Sequence, residues 1–295
     1  MTRRAFLVNL LRGGMLFTGL KGFYNTTRYQ LQLSRADLKI RNLPLFFRGF
    51  KIALLSDFHS SFLVGEAVIS KAREMAMRER PDMIALTGDF VTGTNEVGGS
   101  KSESLEKFDV KYVDSCARAL KGLSAPLGIY GVLGNHDFWC GKEAIDAIYS
   151  TFERQLGVKW LRNENVTLAG DGGQIDILGV DDYWEKSCSL RDAFKGLRDD
   201  TVKVLLSHNP DINVEIEAHR KRVDVVLSGH THGGQVVLPI VGSPFLPSTM
   251  GQKYLRGIIK DDSRQTCVTN GIGINIVPLR YNCPPEVTLI TLYGE

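Results

Sequence analysis

The sequence predicts an α/β domain in which buried strands alternate with amphipathic helices. Five apolar runs rich in β-branched residues support this fold class; they span residues 51–55, 83–87, 129–133, 202–206 and 223–227. Short apolar runs bounded by turn residues fit strands that are covered on both faces. Between the third and fourth runs, apolar residues recur at three- and four-residue steps from Ile145 to Leu156, and Gly157 follows where a left-handed helix cap would lie.

Each of the five runs leads directly into residues that can bind a metal cation. The five segments read Ser56-Asp57-Phe58-His59, Gly88-Asp89, Gly134-Asn135-His136-Asp137, Ser207-His208 and Gly229-His230-Thr231-His232. Ligand sites in open α/β sheets form beyond the carboxyl ends of the strands, so we expect all five segments to converge on one edge. The remaining histidine, His219, lies in a polar helical stretch and is expected at the surface.

The residue types in these segments suit a site for two divalent cations. Such a pair, roughly 3.5 to 4 Å apart, needs imidazole, carboxylate and carbonyl ligands and one group that bridges both ions. Asp89 is the expected bridge. Asp57 and His59 are two residues apart, as are His230 and His232, so each pair can reach the site from one extended segment. Asn135 and His208 complete the coordination of the second ion. The mixed nitrogen and oxygen ligands favour Mn, Fe, Zn or Co.

In this order the segments resemble the calcineurin-like metallophosphoesterases, whose pattern is Asp-x-His, Gly-Asp, Gly-Asn-His-Asp/Glu, a lone His and Gly-His-x-His. The resemblance covers roughly residues 50–295. It implies a four-layer α/β/β/α sandwich of two mixed β-sheets flanked by helices, which we expect to form one domain over residues 37–295. The ligands that it implies fall into two sets, with Asp89 shared: Asp57, His59, Asp89 and His232 for the first metal, and Asp89, Asn135, His208 and His230 for the second.

The resemblance also implies a reaction. His136 would face the substrate as proton donor or transition-state stabiliser, and Asp137 would orient His136. The expected enzyme is a metal-dependent phosphoesterase, most simply a phosphodiesterase that uses a metal-bridging hydroxide on a phosphate-ester substrate. A phosphomonoesterase, a pyrophosphate hydrolase of a nucleotide-linked lipid such as UDP-2,3-diacylglucosamine, and a non-catalytic metal-binding scaffold are the alternatives.

Two departures and three phrases narrow the choice within the family. Thr92 stands where purple acid phosphatases carry an iron-binding Tyr, so a purple iron-tyrosinate centre is not expected. His136 stands where the UDP-diacylglucosamine hydrolases of the main lipid A pathway carry Arg, which argues against close kinship with them. The phrases at 205–211, 229–235 and 282–286 look most like a bacterial branch of exported or membrane-bound phosphodiesterases.

Residues outside the metal ligands must select the substrate. Arg280 and Asn282 lie in the loop at 271–286, where an Arg could fork a second phosphate or a carboxylate. The alternative for Arg280 is a surface ion pair. Phe58, Phe138 and Trp139 flank the ligands; core packing is their expected role, and stacking on a base or holding an acyl chain is the alternative.

The charge is distributed unevenly along the chain. Residues 1–36 contain six basic and no acidic residues, which leaves 30 basic and 33 acidic residues, a net charge of −3, for the rest. The folded domain therefore lacks the electrostatic footprint of a nucleic-acid-binding protein. The leader, Thr2-Arg3-Arg4-Ala5-Phe6-Leu7, resembles a twin-arginine export signal, and an uncleaved membrane anchor is the alternative. We therefore expect a membrane-associated or exported protein. A protein held on the cytoplasmic face of the inner membrane is the alternative location. Five cysteines without framework spacing do not decide the compartment. The sequence predicts no oligomeric state.

Overall fold

Two six-stranded sheets form the centre of the protein. The structure, a computed structural model, describes residues 30–92, 109–244, 246–262, 264–275 and 278–295. The first sheet contains β1 (Gln32–Ile40), β12 (Glu286–Gly294), β2 (Phe50–Leu55), β3 (Met83–Thr87), β4 (Ile129–Val132) and β5 (Val158–Trp160), in that order across the sheet. The second contains β10 (Gly257–Asp261), β11 (Arg264–Val268), β9 (Val225–Ser228), β8 (Val202–Leu206), β7 (Gly173–Gly179) and β6 (Glu164–Gly170).

Both sheets are mixed, and each has a parallel centre. Strands β2, β3, β4 and β5 run parallel to one another, as do β7, β8, β9 and β11. Antiparallel pairs join β12 to β2, β6 to β7 and β10 to β11. The five predicted runs are β2, β3, β4, β8 and β9 within one or two residues, so that prediction is confirmed. Because they belong to parallel groups, the loops that follow them leave each sheet at one edge.

The alternation of side chains along the strands divides the apolar residues into three layers. In β2, Ile52 and Leu54 point toward the second sheet, while Ala53 and Leu55 point away from it. In β8, Val204 likewise packs between the sheets and Leu205 packs on the outer side. Every residue of these two strands except the intermediate Lys51 is buried, including Lys203, which explains why they read as largely apolar runs.

Helices cover the outer faces of both sheets. The first sheet is covered by α1 (Glu66–Arg78), α2 (Lys111–Leu120) and α4 (Lys142–Leu156), and α3 (Asn135–Trp139) precedes α4. The second is covered by α5 (Leu190–Ala193) and α6 (Ile212–Ala218). Helix α4 ends at Gly157 with φ 67° and ψ 29°, the left-handed cap that the sequence predicts. The predicted four-layer α/β/β/α sandwich is confirmed.

The start of the folded domain lies earlier than the sequence suggested. Strand β1 begins at Gln32 and pairs in parallel with β12 along its whole length, from Gln32 opposite Glu286 to Ile40 opposite Gly294. Residues 32–36 therefore belong to the domain and not to the N-terminal segment. The twin-arginine-like leader lies outside the described residues and stays a prediction. Within the described ranges, no helix is both long enough and apolar enough to cross a membrane.

We expect the β1 boundary to determine how far the chain can be shortened. A truncation that begins at Asp37 removes the first five β1 positions and the buried Leu31, whereas one that begins at Gln30 keeps them. Burial of one Leu side chain stabilises a protein by roughly 1.5 to 3 kcal/mol. The shorter protein should therefore melt at least roughly 3 °C below the longer one in a thermal denaturation experiment. Equal melting temperatures would contradict a structural role for residues 31–36.

Candidate metal centre

The five predicted segments meet at one edge of the molecule, where the two sheets approach each other. Two hydrogen bonds tie the loops of one sheet to those of the other. The carboxylate of Asp57, after β2, accepts from the backbone N–H of His230, after β9, at 2.9 and 3.2 Å. The imidazole of His208, after β8, lies with Nδ1 2.7 Å from the carbonyl oxygen of Thr87 at the end of β3. An Nδ1–H donated to that carbonyl leaves the Nε2 lone pair of His208 facing the site.

The first group of donors contains Asp57, His59, Asp89 and His232. One ligand atom from each of these buried residues lies within 4.8 Å of the others. The Nε2 atoms of His59 and His232 are 3.0 Å apart, the Nε2 atom of His59 is 3.3 Å from Asp89 Oδ2, and the Nε2 atom of His232 is 3.5 Å from Asp57 Oδ1. Imidazole nitrogens and carboxylate oxygens that converge in this way are the ligand set of a borderline cation such as Zn or Mn.

The second group of donors shares Asp89 with the first. The Nε2 atom of His208 lies 3.2 Å from Asp89 Oδ2 and 3.2 Å from the Nδ1 atom of His230. Asn135 is buried, and its Oδ1 atom has no hydrogen-bond partner in the described part of the chain. A buried carbonyl oxygen without a partner is costly unless a cation or a water binds it. The residues present therefore fit a cation next to the first one, with Asp89 Oδ2 between the two groups.

The charge states of His230 and His232 support metal ligation. Burial lowers the pKa of His230 and of His232 well below the usual range, and the neighbouring His208 and His59, respectively, act in the same direction. Both rings therefore stay neutral and keep a lone pair for a ligand bond. Asp89 is ionised. Burial raises its pKa, but the combined effect of the histidines around it is larger and holds the pKa well below the usual value.

The backbone around the donors is strained and tightly packed. Asp57, His59, Asp89, His230 and His232 all have positive φ angles, between 45° and 71°. Non-glycine residues in this region cost of order 1 to 3 kcal/mol each and cluster at functional sites. The second and third segments also approach closely: a Cβ atom on Gly88 would lie 2.8 Å from Gly134 Cα, so these positions require glycine.

Comparison with known proteins agrees with this geometry. The family model for calcineurin-like phosphoesterases matches residues 50–234, which is more than half of the 295-residue chain. The chain belongs to the calcineurin-like phosphoesterase family. It is 32% identical over 259 residues to the Escherichia coli protein named phosphodiesterase YaeI, covering 86% of this chain and 87% of the relative. It is 30% identical over 300 residues to the uncharacterized metallophosphoesterase YkuE of Bacillus subtilis, covering 99% of this chain and 98% of the relative.

Among solved structures, a dimetal phosphatase from Danio rerio matches 83% of this chain and 93% of its own, with a TM-score of 0.47 and 13% identity. From the family and the candidate metal site, this calcineurin-like phosphoesterase is a metal-dependent hydrolase of phosphoric esters.

Asp137 has a different position from the one that the sequence suggested. Its carboxylate accepts hydrogen bonds from backbone N–H groups of two ligand loops: from Asp89 and Gly134 at 2.9 Å, from Phe90 at 2.8 Å and from Val91 at 3.3 Å. Burial, together with the nearby Asp89, raises the pKa of Asp137 to about 7, against the hydrogen bond from Gly134. Asp137 thus holds the loops that present Asp89 and Asn135. Its expected contact with the His136 ring is replaced by these backbone bonds.

A side-chain contact to the His136 ring comes from Asn275, a residue that the sequence did not reveal. The side-chain amide nitrogen of Asn275 lies 2.7 Å from His136 Nε2. Asn275 is itself held by Gln235, because the two residues exchange a pair of 2.9 Å hydrogen bonds between side chain and backbone. Gln235 lies three residues after His232, and this closeness to a ligand segment was the one available signal. The ring of His136 lies 4.8 Å from that of His59, against the first group of donors.

Arg280 and Asn282, the two residues expected to bind substrate, differ in burial. Arg280 is fully buried, and its guanidinium donates to backbone carbonyl groups that include Gly273 at 2.6 Å and Asn270 at 2.8 Å. A buried guanidinium bonded to the loop backbone cannot fork a second phosphate, so the structure corrects this prediction. Asn282 is exposed, and its amide donates to the Val237 carbonyl at 3.2 Å. A substrate role for Asn282 stays a prediction.

We expect Asp137→Asn to release metal. The amide would place an N–H group against the backbone N–H donors of the two loops, so the positions of Asp89 and Asn135 would change. Loss of an outer partner of a metal ligand typically costs 10- to 100-fold in metal affinity. Elemental analysis after dialysis and a metal titration measure this loss, and Asp146→Asn, an exposed ion-pair partner of Lys142, is the matched control. Normal metal affinity with slow turnover would instead indicate that Asp137 acts on His136.

Proposed function

We propose that this protein hydrolyses phosphodiesters with two divalent cations, Mn, Fe, Zn or Co. The observation that carries the proposal is the shared position of Asp89 Oδ2, which lies 3.3 Å from His59 Nε2 in one donor group and 3.2 Å from His208 Nε2 in the other. A carboxylate oxygen placed between two groups of nitrogen and oxygen donors is the arrangement that a pair of cations requires. The relative named phosphodiesterase, 32% identical over most of both chains, supports the diester as substrate.

Each step of the proposed reaction has a residue or a cation to perform it. A pair of cations in this site would neutralise the phosphate oxygens and lower the pKa of a bound water. We propose that His136, whose ring lies 4.8 Å from that of His59 in the first donor group, gives a proton to the leaving oxygen. Asn275 holds the His136 ring in its orientation, and Asp137 holds the ligand loops. General acid catalysis of this kind contributes typically 100- to 10,000-fold to the rate.

A pyrophosphate hydrolase of a nucleotide-linked lipid is the second candidate. It is favoured by the six basic residues among residues 1–36, where no acidic residue offsets them. Basic segments of this kind favour anionic membrane surfaces. We propose that this segment brings the enzyme to a membrane, by export or anchoring, and cell fractionation of the full-length chain against one truncated before Gln30 tests that placement.

A substrate panel should separate these activities. We expect Mn-loaded protein to hydrolyse bis-p-nitrophenyl phosphate with a higher kcat/KM than p-nitrophenyl phosphate or UDP-2,3-diacylglucosamine. The release of p-nitrophenolate and of UMP measures the reactions. A preference for UDP-diacylglucosamine would favour the second candidate, and a preference for the monoester would overturn both.

The roles of His136 and Asp89 predict different losses on substitution. His136→Ala should keep its bound metal and lose roughly 100- to 10,000-fold in kcat on bis-p-nitrophenyl phosphate. Asp89→Ala should lose both metal and turnover, because Asp89 contacts both donor groups. Elemental analysis and steady-state kinetics measure the two effects. His219→Ala, which removes an exposed histidine on the outer side of the molecule, is the control, and an unimpaired His136→Ala enzyme would remove the acid assignment.

A further inference from the structure

Two tryptophans border the candidate site next to its histidines. The ring of Trp139 lies 4.5 Å from that of His136, and the ring of Trp184 lies 4.5 Å from that of His230. The two indoles are 6.5 Å apart between centroids, and their planes differ by 23°. Both side chains are only partly buried. They therefore form a nearly parallel aromatic pair beside the proposed proton donor and one metal ligand.

Hydrogen bonds fix the pair in place. The carboxylate of Asp182, fully buried after β7, accepts from the backbone N–H of Trp184 at 2.8 Å. The indole Nε1–H of Trp139 donates to Glu185 Oε1 at 2.8 Å, and the backbone N–H of Glu185 donates to the Asp182 carbonyl at 3.3 Å. One turn thus positions both indoles, although they come from distant parts of the chain. Rings that are held before a ligand arrives lose little entropy on binding it.

The third tryptophan shows what a packing role looks like in this protein. The ring of Trp160 contacts those of Phe90, Phe152 and Tyr149, at 4.8 to 6.1 Å, and packs on the apolar layer under the helices. Neither Trp139 nor Trp184 belongs to an apolar cluster of the described residues. Phe58 and Phe138, by contrast, do pack in that layer, as the sequence predicted. Core packing therefore does not account for the aromatic pair.

The surroundings of the pair favour a planar ligand over an acyl chain. Glu185 follows Trp184 in the chain and accepts the hydrogen bond from the Trp139 indole. Lys186 and Ser187, the next two residues, are exposed. An acyl chain needs a long apolar surface, whereas a flat ring needs only the face of another ring. Stacking on an aromatic side chain stabilises a bound base or aryl group substantially and tolerates different rings.

We propose that Trp139 and Trp184 form a subsite that stacks the planar aromatic substituent of the substrate, a nucleobase or an aryl ring. The inference rests on the proposed diesterase function, since it names the group attached to the phosphate. The two indoles are specificity-determining residues and take no part in the chemistry at phosphorus.

Substrates that share one leaving group test this subsite. The p-nitrophenyl phosphates with benzyl, cyclohexylmethyl, octyl or thymidine 5′-substituents all release p-nitrophenolate, and the first two differ mainly in planarity. We expect Mn-loaded protein to prefer benzyl over cyclohexylmethyl roughly tenfold in kcat/KM, the lower part of the range for one stacked ring. A larger preference for the thymidine ester identifies a nucleoside as the planar group, and an equal one identifies aryl groups in general.

Matched tryptophan variants connect that preference to the two residues. Trp139→Leu and Trp184→Leu should each reduce the benzyl to cyclohexylmethyl ratio to within about twofold, and Trp184→Phe should keep most of it. Trp160→Phe should leave the ratio unchanged. Melting temperatures of all variants separate loss of selectivity from loss of folding.

A binding measurement keeps the subsite testable if no diester is hydrolysed. In the Trp160→Phe protein the remaining fluorescence comes from Trp139 and Trp184, and thymidine monophosphate should quench it while ribose 5-phosphate should not. Hydrolysis of none of the esters with quenching retained would remove the diesterase proposal and leave the subsite. Selectivity that is absent from the wild-type protein, unchanged in both leucine variants, or greatest for the octyl ester would overturn the subsite.

Discussion

The site depends on bonds that join the two sheets at their carboxyl ends. The Asp57 carboxylate holds the backbone of His230, and the Thr87 carbonyl is bonded to His208, so each sheet presents ligands that the other positions. The apolar layer between the sheets fixes the distance over which these bonds form. Burial of the Asp57 and Asp89 carboxylates at this edge is unfavourable by several kcal/mol per ion unless opposite charge is close. Cations between the sheets would supply that charge, so binding of metal and closure of this edge stabilise each other.

The strain in the ligand loops is maintained by the same network. Asp57 and His59 adopt positive φ angles while their backbone N–H groups donate to the carbonyls of Gly88 and Asp89, at 3.0 and 2.9 Å. The first two ligand loops thus continue the pairing of β2 and β3 beyond the sheet. Asp137 binds the second loop to the third from the other side. A strained backbone persists only where its surroundings determine it this strongly, and here the hydrogen-bonded loops fix the directions of the donor side chains.

Local pattern predicted the strands and the segments that carry the candidate ligands, the family resemblance implied the two-sheet sandwich, and long-range contacts account for what neither predicted. The strands follow from short apolar runs, and convergence of Asp57, Asp89, Asn135, His208 and His230 follows from parallel strands. The role of Asp137 could not be predicted, because its partners are backbone groups up to 48 residues away. The first five residues of β1 were assigned to the leader because their partner strand, β12, lies at the other end of the chain. The burial of Arg280 and the bond from Asn275 to His136 depend on a loop whose path has no periodic signal.

Selection of the substrate must depend on the border of the site and not on the metal ligands. Carboxylates and imidazoles that hold cations interact with the phosphate group, which every phosphoric ester has. Burial of Arg280 on the carbonyls of Gly273 and Asn270 leaves its charge unable to bind a second phosphate. Recognition of a pyrophosphate therefore loses the cation that the sequence suggested for it. What lies beside His136 and His230 is the pair of indoles, which binds flat rings without regard to charge. The border of the site thus favours an ester with one planar substituent, whereas the buried Arg280 gives no added preference for a second phosphate.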